Sequence, residues 1–203
     1  MRRRDRLWFC GLVVSLLMAV LPAIPMSAAT PPTRFGAHLT KTTNADPFPE
    51  WCRDSNHAAR CTWVAVEAFE NGNKYKAPRN GTIRRVRLIS CVGGSFTVQV
   101  ARVRRAEDKA RIVRSGPTIH YVRDNRSECG GPDGDDYRIQ SFAVNFRVNT
   151  GDFIAVKGNK VGFMHSSSSG PSIKFRPPLP VGGGFQVADS DENSLLIQFQ
   201  YAS

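Results

Sequence analysis

Ten basic side chains fall between Arg79 and Arg114, in the stretch "RNGTIRRVRLISCVGGSFTVQVARVRRAEDKARIVR". They are Arg79, Arg84, Arg85, Arg87, Arg102, Arg104, Arg105, Lys109, Arg111 and Arg114, set against only Glu107 and Asp108. A guanidinium offers paired N–H donors that match phosphate, sulfate or carboxylate oxygens, so a cluster of them can hold a polyanion without any sequence code. Arg84, Arg85, Arg87, Arg102, Arg104, Arg105, Lys109, Arg111 and Arg114 are therefore the candidate polyanion-binding residues. A structural reading stands beside this one: arginines on the wet side of an antiparallel pair also discourage edge-to-edge association. The segment carries no nucleic-acid-binding motif and no aromatic ladder, so dedicated DNA or RNA recognition is not expected.

Other residue types offer less. The acids cluster in "PDGDD" (Asp133, Asp135, Asp136) and "ADSDENS" (Asp189, Asp191, Asn193). Asp189, Asp191 and Asn193 alternate like the first ligands of a calcium loop, and Asp133 and Asp135 form a second weak metal candidate. Ser194 stands where that loop needs its turn glycine, and Gln200 replaces the closing glutamate. Ca2+ is the only cofactor these residues suggest, and the same acids are where a glycan-active hydrolase would draw a carboxylate pair. Trp51, Tyr75 and Tyr121 are candidate carbohydrate-stacking aromatics, while Trp63 lies in a strand and reads as core. His38, His57, His120 and His165 have no metal-binding spacing, and no G-x-S-x-G elbow is present. No catalytic residue is assigned, and a binding module is favoured over an enzyme.

The elements that must position these residues begin after an export leader. Residues 1–29 read as a signal peptide: four arginines, an apolar run from Leu7 to Leu21, then small residues ending at Ala29, where cleavage is expected. That run is shorter than the roughly 20 residues of a membrane span, and no later segment is apolar enough to be one. The expected location is therefore outside the cell or on its envelope. Without the leader, 174 of the 203 residues remain, enough for one domain. They hold 24 basic and 16 acidic residues, and outside Arg79–Arg114 the two kinds balance at 14 each. Cys10 falls in the leader, which leaves Cys52, Cys61, Cys91 and Cys129. In an oxidising compartment these read as two disulfides rather than a zinc site, Cys52 with Cys61 and Cys91 with Cys129.

Residues 30–50 are rich in Pro and Thr and read as an extended N-terminal lead; residues 51–203 form the single domain. Strand signals follow almost everywhere. "TIRRVRLISC" and "SFTVQVARV" are expected to pair as a hairpin across Val92-Gly93-Gly94, with Leu88 opposite Val98 and Val86 opposite Val100. In that register Arg85, Arg87 and Ile89 share the other face with Thr97, Gln99 and Ala101. "QSFAVNFRV" alternates Phe142, Val144, Phe146 and Val148 against Ser141, Ala143, Asn145 and Arg147. "SLLIQFQYA" alternates in the same way. Eight to ten short strands without an amphipathic helix predict an all-β fold: a two-layer antiparallel β-sandwich of jelly-roll type, tied by two disulfides.

"APRNGTI", "FRVNTGDFIAV" and the closing "SLLIQFQYA" together resemble a set of secreted bacterial β-sandwich proteins of actinobacterial type. In these an "AP-x-x-G-x-I" entry strand, a "V-x-x-GD-x-I" turn and a final "LLI" strand recur. The resemblance covers roughly residues 62–202 and implies a fold and a compartment; the family carries no site residues to transfer. The expectation for function is a secreted, non-catalytic binding or cell-envelope-associated module that contacts anionic envelope polymers or polysaccharide through its basic segment. The alternatives are a glycan-active hydrolase using the acidic loops and a calcium-stabilised carbohydrate-binding or adhesion domain.

Overall fold

The structure is a computed structural model that describes residues 33–39, 47–52, 60–66, 75–123, 138–165 and 172–202, all within the unit Pro31–Ser203. In chain order the strands are β1 (Arg34–Gly36), β2 (Pro47–Trp51), β3 (Cys61–Ala65), β4 (Gly81–Leu88), β5 (Gly94–Arg104), β6 (Lys109–Tyr121) and β7 (Gln140–Val148). They continue as β8 (Phe153–Gly158), β9 (Lys160–His165), β10 (Ser172–Phe175), β11 (Gln186–Val187), β12 (Ser190–Glu192), β13 (Ser194–Leu195) and β14 (Ile197–Tyr201). Every strand pair is antiparallel. One sheet has four strands in the order β1-β14-β4-β7, a second has seven in the order β11-β6-β5-β8-β3-β10-β12, and a small third is β13-β9-β2. Among the described residues no helix is long and apolar enough to cross a membrane.

The alternation read in the sequence is present, and it drives the packing of the two large sheets. Ile83, Val86 and Leu88 of β4 and Ile197, Phe199 and Tyr201 of β14 turn inward to meet Phe96, Val98 and Val100 of β5 and Ile154 and Val156 of β8. Phe199 sits at the centre, with Phe35 and Phe146 each edge-on to it at 5.4 Å. Phe146 and Val148 are buried, and Phe142 and Val144 pack against the same core.

The expected β4–β5 hairpin does not form. β4 pairs with β14 and β7, and β5 pairs with β6 and β8, so the two strands lie in different sheets. Leu88, Val86, Val98 and Val100 do share a core, but they enter it from opposite layers. Residues 89–93 cross between the sheets because their polar groups are taken up by other strands. Ile89 N donates to Leu196 O at 3.3 Å, Cys91 N to Gly162 O at 3.2 Å, and Ser90 Oγ reaches Gly162 O at 2.7 Å. This close approach needs a glycine: a Cβ on Gly162 would lie 2.3 Å from Val92 Cγ2. The long hairpin is instead β5–β6, closed by a single 3-10 turn at Arg105–Glu107 and by Asp108 in the left-handed region (φ 47°).

The N-terminal lead also departs from expectation. Arg34–Gly36 pairs with β14 as the edge of the four-stranded sheet, and Pro47–Trp51 pairs with β9. Apolar Phe35 explains the first of these, since it packs against Phe199 and Tyr201.

The seven-stranded sheet has a second apolar face. Val64, Ala101, Ala110, Ile112, Ala155, Ile173 and Phe175 form a separate buried cluster with Leu179. The segment from Arg176 to Asp189 covers it. Leu179 N donates to Thr62 Oγ1 at 3.2 Å, Gly182 N to Ile112 O at 2.9 Å, and Arg176 meets Asp189 at 3.6 Å where the segment begins and ends. Only Ala188 and Asp189 separate the edge strands β11 and β12, so the sheet curls until its two edges nearly meet.

Cys52 and Cys61 form the expected disulfide, with Cα atoms 5.4 Å apart. It is the one disulfide described. Cys91 is fully buried and is not a free thiol, while Cys129 lies outside the described residues.

Two stability tests follow from this packing. Phe199→Ala removes the ring that joins both neighbours and should cost about 3–5 kcal/mol in denaturant unfolding. Burial also raises the phenol pKa of three tyrosines: Tyr75, Tyr121 (to about 12) and Tyr201. Their folded pKa values exceed the unfolded value, so this contribution is complete below about pH 10 and is lost as pH rises towards the folded values. Thermal melts should therefore fall steeply between about pH 10 and 12, and Tyr121→Phe should make that fall shallower.

Candidate functional site

The basic segment divides in two once the chain is folded. At the β5–β6 tip four of the five cations are already paired with three acids. Arg104 faces Glu107 at 4.0 Å, Lys109 Nζ donates to Glu107 Oε2 at 2.9 Å, and Arg105 is bonded to Asp108. Arg102 lies 3.7 Å from the buried carboxylate of Asp152. Arg104 and Arg111 stack over Phe185 at 4.2 and 5.0 Å. The tip's charge is thus largely spent on its own neighbours.

Arg84, Arg85 and Arg87 belong to the outer face of the four-stranded sheet, Arg114 lies on β6 of the other sheet, and Arg79, ahead of β4, lies 4.4 Å over the Tyr201 ring. None of the four strands β1, β4, β7 and β14 contains an Asp or Glu. Register places Arg34, Gln200, Arg85 and Ala143 in one row across the sheet, and Gln198, Arg87 and Ser141 in the next. Neighbouring strands are about 4.8 Å apart, so Arg34 and Arg85, two strands removed, are about 10 Å apart at the backbone. The pairing slips between Ile83 and Arg85 on the β7 side and opposite Gln200 and Tyr201 on the β14 side. Ile83 and Val86 both point inward across this irregularity, which leaves Arg84 and Arg85 both exposed. A bulge of this kind re-aims side chains, and here it turns two consecutive arginines to solvent.

Arg87 is the anchored member of the face. Its Nη1 donates to Gln198 Oε1 at 2.7 Å, and Gln198 Nε2 donates to Ala37 O at 2.9 Å. Partial burial, and then the neighbouring charge of Arg34, hold the Arg87 guanidinium below its ordinary pKa. Like charges lie side by side here without a counter-charge, and Arg34, Arg84, Arg85 and Arg147 make no ion pair among the described residues.

The face ends at a cleft where the two sheets part. Arg84, Arg114 and Arg147 border an open space of about 580 Å³ together with Thr82, Ser115 and Asn145, over Phe146. Arg114 donates from Nη1 to the carbonyl of Arg147, which ties β6 to β7 across the seam. Arg34 and Arg147 are members of this surface that the sequence reading missed. Each stands alone in its segment, and only strand pairing brings it beside the others. Arg34 falls in a stretch read as a lead, and Arg147 occurs in "FRV" with no basic neighbour.

The candidate sugar-stacking aromatics require correction. Tyr75 is fully buried and its hydroxyl is bonded to Leu195 O, while Tyr121 is 3% exposed and accepts the N–H of Gly162 at 3.0 Å. Neither ring face is open to a ligand. Trp51 is half-buried, with Lys160 Nζ 4.8 Å over its ring, and Trp63 is core, as expected. Among the acids, Asp189 pairs with Arg176 at 3.6 Å, and Asp191 belongs to β12, paired with β10. Asn193 gives its carbonyl to Ser172 Oγ. Gln200 is on β14, in the arginine sheet rather than in the loop of Asp189. Asp133, Asp135 and Asp136 lie outside the described residues. Among the described residues no three His, Cys, Asp or Glu side chains gather as a metal site. Of the histidines, His38 and His120 are exposed and His165 is buried; His57 lies outside the described residues.

Comparison with known proteins adds no relative: no family model, curated protein or solved structure matches the chain.

The unpaired face makes a prediction that needs no ligand. Mutual repulsion of its arginines destabilises the fold most when salt is low. Thermal melts should rise between about 10 and 150 mM ionic strength, as the screening length shortens from about 30 to 8 Å. Arg34→Ser/Arg85→Ser should raise the low-salt Tm and flatten that dependence, whereas Arg105→Ser, which loses an ion pair, should not. A salt response unchanged in the double variant would show that the face carries no such strain.

Proposed function

We propose that this protein is an exported, non-catalytic binding module that holds polyanions on the outer face of its four-stranded sheet. The observation that carries the reading is the distribution of charge. Arg34, Arg85 and Arg87 share a face whose four strands have no carboxylate, while Arg102, Arg104 and Arg105 at the β5–β6 tip are paired with Asp152, Glu107 and Asp108. Guanidiniums spaced over strands suit a repeating anion, which gains by releasing its counterions along a line of contacts. The export leader over residues 1–29 makes anionic envelope polymers and acidic polysaccharide the natural partners.

The wider framework of the proposal includes the fold type and the second bridge. With β2 and the excursion β9–β13 set aside, eight strands remain. One sheet takes them in the order first, eighth, third, sixth, and the other in the order second, seventh, fourth, fifth. This order supports a jelly roll, since two Greek keys wound together generate it. Cys91 with Cys129 remains the proposed second disulfide, suited to an oxidising compartment.

The test is binding to heparin and to a long-chain polyphosphate, measured across salt concentrations. Affinity should fall steeply with salt, and Arg85→Glu/Arg87→Glu should weaken it by about tenfold or more. Arg104→Glu/Arg105→Glu, the same change of charge at the ion-paired tip, should lose much less. Equal losses in both double variants would mean that net charge alone attracts the polymer; no binding by the wild-type protein would defeat the proposal outright.

A further inference from the structure

The cleft at the end of the arginine face differs from the face itself. Three guanidiniums approach it from three strands, Arg84 on β4, Arg114 on β6 and Arg147 on β7, with the hydroxyls of Thr82 and Ser115 beside them. Arg114 is fixed across the seam by its bond to the Arg147 carbonyl, so part of the cationic wall is set before any ligand arrives. A second open space of about 590 Å³ adjoins this one and shares Ser115, Asn145 and Phe146 with it. Its other borders are uncharged and small: Gly116, Pro117, Ala143 and Val144. One groove along the seam therefore has a cationic half and a neutral half.

From this we infer that the groove is a subsite for a single phosphate- or sulfate-bearing sugar or polyol unit, the oxyanion held among Arg84, Arg114 and Arg147 and the neutral body laid over Pro117 and Ala143. The inference rests on the polyanion reading and names the repeating unit it would take. Three guanidiniums on different strands present more donors than the two oxygens of a carboxylate can use, and a tetrahedral oxyanion has a further oxygen to offer. Each half is within the size range of small-molecule sites and far larger than a bare ion needs. An acyl chain does not fit the neutral half. Phe146, its largest apolar side chain, is 7% exposed, and the groove has no deep apolar trough.

The experiment measures binding of inorganic phosphate, inorganic sulfate, a sugar phosphate, a sulfated disaccharide and an uncharged sugar by calorimetry or ligand-observed NMR. The sugar phosphate or the sulfated disaccharide, or both, should bind the wild-type protein more tightly than the bare ion, and the uncharged sugar should not bind; which of the two is tighter identifies the oxyanion. Arg84→Ser/Arg147→Ser should reduce that affinity by about tenfold or more. Ala143→Phe, an exposed position, should bring the sugar-linked ligand down to the affinity of the bare ion while leaving the bare ion unchanged. Inorganic ion and sugar-linked ligand binding equally in the wild type would overturn the inference, as would a sugar-linked affinity unaffected by Arg84→Ser/Arg147→Ser. Polymer binding that depends on Arg85 and Arg87, with no small ligand bound, overturns the subsite and leaves the polyanion reading standing. Small-ligand binding lost in Arg84→Ser/Arg147→Ser, with polymer binding indifferent to Arg85→Glu/Arg87→Glu, supports the subsite and defeats the face.

Discussion

The architecture depends on burying both faces of one sheet. Strand β5 turns Phe96, Val98 and Val100 to one side and Gln99 and Ala101 to the other, and all five are buried. β8 does the same with Ile154 and Val156 against Ala155, and β3 with Trp63 against Val64. Three adjacent strands that are apolar on both faces must be covered twice, because burial of apolar area is the main favourable term in folding. The four-stranded sheet covers one face. The other is covered by the Arg176–Asp189 segment and by the curl that brings β11 and β12 together. This leaves the four-stranded sheet with one dry face and one wet one. The wet face is where unpaired arginines can be exposed without a desolvation cost, and that is where they lie.

The same constraint separates what the sequence made legible from what it hid. Alternation in "RRVRL", "SFTVQVARV", "SFAVNFRV" and "LLIQFQY" marked the side chains that enter the main core, since period-2 patterning depends only on the strand's own pleat. It did not reveal the second core: Gln99 and Ala101, read as sharing a face with Arg85 and Arg87, are buried. It said nothing about neighbours. β4 and β5 follow one another with a glycine-rich link, which is also what a hairpin looks like. The choice of an inter-sheet crossing was made by distant groups, Gly162 and Leu196, that accept the N–H groups of Cys91 and Ile89. The motifs "APRNG" and "NTGD" were legible as turns, but their meeting was not: Ala77 N donates to Asp152 O at 2.7 Å, Gly151 N to Ala77 O at 2.8 Å, and Thr150 N to Asn80 Oδ1 at 2.7 Å. Tyr75 and Tyr121 show the converse limit. Both sit among polar and turn residues in sequence, and tertiary packing takes them to the core.

For the candidate site, density of charge along the chain was a poor guide to density of charge in space. The richest basic run, Arg102 to Arg111, contains its own acids within three or four residues, and local ion pairs form across the turn. Exposed pairs of this sort are weak contributors to stability, yet they occupy the guanidiniums that make them. The arginines of the sheet face come from residues 34, 84, 85, 87 and 147, so no local acid can pair with more than one or two. Arg87 is positioned by a glutamine and a backbone carbonyl, neither of which cancels its charge. Folding thus concentrates charge that the linear chain disperses, and pairs much of the charge that it concentrates.

An uncompensated cationic face is a store of repulsion, and an anion that binds it is linked thermodynamically to the folded state. The seam between β6 and β7 adds geometry to that electrostatic preference. Both strands are sheet edges there, and exposed edges invite pairing with another chain unless something blunts them. Pro117 removes a donor from β6, and the irregular pairing beside Ala143 and Asn145 disturbs β7. The edges are therefore joined through side chains rather than a ladder: Arg114 reaches the Arg147 carbonyl at one end, and Gln140 exchanges hydrogen bonds with the Val122 backbone at the other. The devices that prevent edge pairing also open the cleft. The arginines that rim it sit where a bulge and two strand edges meet, so the subsite arises from how the two sheets end rather than from any motif along the chain.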